Sequence, residues 1–236
     1  MKLTWAMGCA ALLTATPVLA QTVTVDRAPN GYVLRTRETF SDGTIGTGEL
    51  RLPSVPSLLA GFVAEMKNPS PNSERRDLTV IAHKELFPRA TIDSLLAGYE
   101  ALATDPAQDA RVASGAIVAI GTAGSSRGAH PSPGQTARLM RIYREAGDVV
   151  RRYAVVSQLG NATDRPAAAA FLRRIAIQHL GDREDVLAVA SVRALALLGD
   201  EGAATLRDLH RANAVSNPEA RAALEGFARR GYRGRP

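Results

Sequence analysis

Two rhythms divide the chain near Pro53. Upstream, Thr22-Val23-Thr24-Val25 and Tyr32-Val33-Leu34-Arg35-Thr36-Arg37 are rich in β-branched and aromatic residues, which suit extended backbone. Asn30-Gly31 between them predicts a hairpin turn with φ > 0 at both central positions. Asp42-Gly43 predicts a second turn, and Thr44 to Leu52 a third strand. So small a meander is marginal by itself, and the expectation is that it caps the helices that follow.

Downstream, apolar residues fall at helical spacing. Helices are predicted for Ser57 to Lys67, Glu74 to Phe87 and Thr91 to Ala103, the last with Ile92, Leu95, Leu96 and Tyr99 on one stripe. Asp105-Pro106-Ala107-Gln108 reads as a helix start, with an N-terminal cap and proline in the first turn. That helix is expected to run to Ile120 and to stop at Gly121 in the left-handed conformation. Thr122 to Gly134 reads as a Gly/Ser/Pro loop. Gln135 to Ala146 carries Leu139, Met140 and Tyr143 on one face and Arg138, Arg141 and Arg144 on the other. Further helices are expected from Asp148 to Leu159, from Asp164-Arg165-Pro166 to near Gly181, from Asp182–Asp185 to Gly199, from Glu201 to Ala212, and from Asn217-Pro218-Glu219 onward. Short connections between them predict antiparallel neighbours.

A longer period overlies the helical one. Ala-Ile-Gly ends at Gly121, Gln-Leu-Gly at Gly160 and Leu-Leu-Gly at Gly199, each 39 residues from the last, and a step of 32 reaches Gly231. Repeats near this length are stacked supersecondary units. Within them an acidic residue opens a helix, then come arginine, alanine, and a closing aliphatic-glycine pair. Examples are Asp109-Ala110-Arg111-Val112-Ala113 through Ile120-Gly121, and Asp148-Val149-Val150-Arg151 with Ala154 and Leu159-Gly160. Asp185-Val186 with Ala190 and Leu198-Gly199 follows more loosely, with Ala188 where the preceding unit has Arg151, and the last unit keeps Arg221-Ala222 and ends Arg230-Gly231. This pattern resembles the HEAT repeat family over Gly98 to Gly231, and over residues 53–97 by helical pattern alone. Tetratricopeptide repeats have a shorter period of about 34 residues and an aromatic signature that this chain lacks. The resemblance implies an all-α fold, an α-α superhelix (HEAT-like solenoid), here with a small N-terminal β meander. Alanines such as Ala167 to Ala170, Ala188, Ala190, Ala194 and Ala196 would permit close helix approach.

The N-terminus changes the inventory. Lys2, an apolar stretch from Leu3 to Ala15, Pro17 and Val18-Leu19-Ala20 before Gln21 read as a cleaved export leader. The division expected is therefore 1–20 signal peptide, 21–52 β cap and 53–236 repeat array. The stretch is short for a membrane span, and Ala6-Met7-Gly8-Cys9 lacks the leucine usual before a lipoprotein cysteine. Cleavage would remove Cys9 and Trp5, the chain's one cysteine and one tryptophan. Disulfides and thiolate chemistry are then excluded, and the mature chain is expected in the periplasm or secreted, with no membrane span.

Charge is distributed unevenly. Gln21 to Ala107 holds nine Lys/Arg against eleven Asp/Glu, whereas Gln108 to Pro236 holds nineteen arginines, no lysine and twelve acids. Arg138, Arg141, Arg144, Arg151, Arg152, Arg173 and Arg174 are the candidate partner-binding residues, on condition that stacking gathers them into a ridge. Solvated outer faces with pairs such as Arg141–Glu145 are the alternative.

Candidate chemistry is thin. Gly124-Ser125-Ser126-Arg127-Gly128 matches G-x-S-x-G, but that elbow needs a strand before the serine. His130 follows in a predicted loop. His83 and Glu85 would point about 200° apart on a helix, and His179 and His210 belong to different helices. Gly43 to Gly48 is glycine-rich without a following helix to hold phosphate. The expectation is a non-catalytic module that binds a protein through one face. A binder of an anionic envelope polymer, such as lipopolysaccharide, and a serine hydrolase using Ser126 and His130 are the alternatives. No metal, cofactor or nucleic acid is expected.

Overall fold

A computed structural model describes residues 18–69, 76–125, 132, 134–178 and 185–232. The chain divides into two compact units at Leu58/Leu59.

The first unit is an antiparallel sheet of β1 (Val18–Ala28), β2 (Gly31–Phe40) and β3 (Ile45–Pro53), in the order β1-β2-β3. Its register places Val25 opposite Leu34 and Leu34 opposite Leu50 on one face. The opposite face carries Thr22, Thr24, Arg35, Arg37, Thr47 and Glu49, which line a shallow open depression. The strands outrun their predicted limits, and Val18 to Ala20, assigned to the leader, pair with Phe40 and Thr39. The first turn is also displaced by one residue. Ala28 pairs with Gly31, so Pro29 and Asn30 occupy the loop, and Asn30 is not among the residues with positive φ. Proline fixes φ near −65° and excludes the expected turn type. Gly31 (φ +149°) serves instead where β3 comes close, because a Cβ there would lie 2.9 Å from the carbonyl carbon of Pro53. Asp42-Gly43 turns as expected, with Gly43 at φ +80° and the Asp42 carboxylate accepting from the Thr44 N–H at 2.9 Å.

Ten α-helices follow among the described residues: α1 (Val55–Lys67), α2 (Arg76–Ala82), α3 (Arg89–Thr104), α4 (Ala110–Ser125), α5 (Gln135–Glu145), α6 (Val149–Gln158), α7 (Arg165–Ile177), α8 (Asp185–Leu195), α9 (Gly199–Arg211) and α10 (Pro218–Ala228). A 3₁₀ turn at Lys84–Leu86 replaces the end of the second predicted helix. Side chains cap three helices as their sequence implies: Asp148 accepts from the Arg151 N–H, Asp164 from Ala167 and Asn217 from Ala220. The fourth helix departs from expectation at both ends. Asp105 closes a local turn onto the Ala107 N–H, and Asp109 accepts from the Arg111 N–H at 2.8 Å, so α4 starts at Ala110. It then passes through Gly121, which does not take positive φ, to Ser125.

Packing follows chain order. From α3 onward each helix packs on the one after the next, and consecutive helices also pack together, except that α7 meets the 3₁₀ turn Leu159–Asn161 that ends α6: α3, α5, α7 and α9 form one row and α4, α6, α8 and α10 the other. Arg151, early in α6, reaches the Gln108 carbonyl just ahead of α4, while Gln158 at the end of α6 lies against Gly121 near the end of α4. Starts therefore meet starts and ends meet ends, so α4 and α6 run parallel. Leu96, Ile117, Ile120, Leu139, Ile142, Leu159, Leu172, Leu187 and Leu195 of these helices and the turn after α6 are fully buried, the apolar interior that carries folding.

Candidate functional site

The candidate arginines separate into groups with different surroundings. Arg138 and Arg141 on α5 both hold Glu100 of α3, Arg141 through Nε at 2.9 Å. Arg141 thus turns to Glu100 and not to Glu145 one turn along its own helix. Arg151 is buried and donates to the carbonyls of Ala103, Asp105 and Gln108 at 3.3, 2.9 and 3.0 Å. Its Nε lies 3.2 Å from Asp148 Oδ2, in ion-pair range without hydrogen-bond alignment. Arg152 donates to the Ala146 carbonyl and stacks over Tyr143. Arg144, Arg173 and Arg174 are exposed, Arg174 lying over Phe171. The structure therefore ties Arg138, Arg151 and Arg152 into the fold and leaves Arg144, Arg173 and Arg174 on the α5/α7 surface.

Other polar groups are also held inside. The Tyr99 hydroxyl donates to the buried Asp77 carboxylate at 2.6 Å, and the Tyr99 ring meets Phe62 edge-on. Lys84 is buried and donates to the Ala123 carbonyl in the last turn of α4, where helix carbonyls favour a cation. Burial lowers its ammonium below the ordinary value of 10.5, with Glu85 opposing. Ser132 donates to the same carbonyl at 3.3 Å. The Gln135 Oε1 atom accepts from the Thr163 N–H, joining the start of α5 to the approach of α7.

The surface feature that sequence reasoning missed is apolar. Val118 on α4 is 39 % exposed, Val150 and Tyr153 on α6 are 54 and 42 %, and Val186 on α8 and Leu197 just after it are 46 and 54 %. All belong to the α4–α6–α8 row. In the other row the corresponding large apolar residue is Ile177, at the end of α7. Spacing gathers several of them: Val150 and Tyr153 are i, i+3, and Val186 shares a face of α8 with Arg193 at i+7, with Leu197 in the turn that follows. Since Gln158 lies on Gly121 and Leu197 on Gly160, stepping back along the helices brings Val118 level with Val155, within a turn of Tyr153, and Val150 level with Leu187, next to Val186. Apolar residues on both sides of the α6 and α8 stretches were visible in the sequence. Which side a neighbour covers was not.

The nucleophile-elbow candidates Ser126 and His130 lie outside the described residues, as does His179. The helix α4 leads into that segment, where an elbow would need a strand. His210 bonds through Nδ1 to the Tyr232 hydroxyl at 2.8 Å. Among the described residues, no group of three or more His, Cys, Asp or Glu is placed to hold a metal ion, and no helix is long and apolar enough to cross a membrane.

No family model, curated protein or solved structure matches this chain.

Proposed function

We propose that the helical unit is a HEAT-like α-α superhelix that works as a non-catalytic protein-interaction module, exported under the N-terminal leader, with the exposed apolar face of α4, α6 and α8 as its docking surface. The observation that carries this reading is the asymmetry between the rows. One presents Val118, Val150, Tyr153, Val186 and Leu197, while the other presents mainly charge. Apolar groups gathered on one face mark interaction sites, whereas scattered ones need no explanation.

The repeat reading is supported by an equivalence in space. Gly121 receives Gln158 and Gly160 receives Leu197, in each case the residue 37 positions on. Lys84 and the Ala123 carbonyl that accepts from it are 39 positions apart. Contacts within two residues of the 39-residue repeat length are what a stacked array produces, since each unit meets its neighbour at nearly corresponding points.

The test is photo-crosslinking in the producing cell, with benzoylphenylalanine in place of Tyr153 or of Arg173. A discrete adduct at position 153 that is absent at position 173 is expected. No adduct at 153, or equal adducts at both, overturns the docking surface. N-terminal sequencing of the periplasmic protein tests export, and the expected first residue is Gln21. A second reading, an anionic polymer held by Arg144, Arg173 and Arg174, has their shared exposure on α5 and α7 in its favour. It requires binding that falls steeply as salt is added.

A further inference from the structure

Resting on the docking reading above, we infer that the partner segment is an amphipathic peptide stretch bearing carboxylates, which lays apolar side chains on Tyr153, Val150 and Val186 and meets Arg111 and Arg193 with its acids. Arg111 lies two turns before Val118 on α4, on the same exposed side, and Arg193 lies between Val186 and Leu197 on α8. Both are exposed, and neither is in an ion pair among the described residues. Along the helices, past their starts, Ser114, Thr122, Ala154, Ser157 and Asn161 are half-buried and uncharged.

The acids nearest to it stand at helix starts: Asp109, Asp148 and the half-buried Asp185 beside Val186. Asp109 accepts from the Arg111 and Val112 N–H groups. Asp148 accepts from the Arg151 N–H and pairs with the Arg151 guanidinium. Apart from these helix-start acids, the ionised groups of the face are Arg111 and Arg193. A partner that buried them without supplying carboxylates would leave desolvated cations, which is strongly unfavourable. A partner that supplies them gains charge-assisted hydrogen bonds.

The same charge pattern disfavours a second copy of this chain. In a two-fold pairing the identical patch lies on both sides, so Arg111 and Arg193 would meet acids such as Asp109 and Asp148 that are already engaged at their own helix starts. Insertion into a lipid surface is disfavoured on a different ground: the apolar side chains are each roughly half-embedded in the face and so have little depth to insert.

The experiment measures fluorescence polarisation of two synthetic peptides on the full chain. Both carry one leucine face at helical spacing; one has glutamate at the polar positions and the other lysine. The glutamate peptide is expected to bind at least about tenfold more tightly. Arg111→Gln with Arg193→Gln should remove that preference, and Arg144→Gln with Arg173→Gln should leave it intact. Tyr153→Ser should weaken both peptides, and all these sites are exposed, so the variants should melt as the parent does. Equal binding of the two peptides, or binding of neither, overturns the acidic partner. In that event the crosslinking at Tyr153 separately decides whether the face docks anything. Sedimentation showing a dimer lost in Tyr153→Ser, or phosphatidylglycerol vesicles binding with the same residue dependence in place of the glutamate peptide, also overturns it.

Discussion

Gln158 lies directly against Gly121: a Cβ on that glycine would fall 2.7 Å from the Gln158 Cβ. The glycine that sequence spacing assigns to a helix end is thus a point of close approach inside α4. Alanine ordinarily stabilises a helix interior by about 1 kcal/mol over glycine, but overpacking costs about 1–3 kcal/mol. Gly121→Ala should therefore lower the unfolding midpoint in urea. Gly226→Ala in α10, where nothing lies within 4 Å of the added carbon, should raise it.

Arg151 joins the start of α6 to the α3–α4 connection through three backbone carbonyls. Arg151→Ala strands those acceptors indoors, at a cost of about 2–4 kcal/mol. Arg151→Lys should recover little, because one ammonium cannot reproduce the planar fork. Equal urea midpoints for the lysine variant and the parent would refute this account.

Lys84 gives a pH dependence of known sign. Its folded value is depressed by burial below 10.5, so between that depressed value and 10.5 the unfolded chain binds more protons. Stability contributed by this group therefore rises with pH through that window. Lys84→Met removes the titration, so the gap between parent and variant should shift in favour of the parent as pH climbs through that window. Parallel stability curves would contradict the burial of a charged ammonium.

Tyr99 and Asp77 form a buried pair at 2.6 Å. Tyr99→Phe keeps the ring against Phe62 and removes the donor, leaving a buried carboxylate short of one partner. A loss of about 1–3 kcal/mol is expected in thermal or urea unfolding.

Ser191 sits fully buried in α8, with its hydroxyl unpartnered among the described residues. Ser191→Ala removes that group and improves helix propensity. It should raise stability by about 1 kcal/mol.

Much of the local order was legible in the residues. Asp148, Asp164 and Asn217 cap the helices that they precede, and Asp42-Gly43 turns where expected. Such features depend on a few adjacent side chains and their own backbone. The misplacements came from competition between equally good local solutions. Asp109 took the cap that Asp105 also fits, and Pro29 moved the first turn off Asn30-Gly31. The arginines were harder, because spacing on a helix tells which residues share a side but not what covers it. Arg138 and Arg151 resemble Arg144 and Arg173 as letters. They differ because Glu100 and three carbonyls come from elements 38 to 48 residues away.

By itself, then, the order of residues determined a β meander followed by short capped helices with a 39-residue beat, since caps, turns and amphipathic stripes are near-neighbour effects. The packing of helices onto their second neighbours decided the rest. It placed Gln158 on Gly121, drew Arg151 inward, and left Val150 and Tyr153 in the open. A helix such as α6 has apolar groups on both sides, and only the presence or absence of a neighbour determines which side remains exposed to solvent.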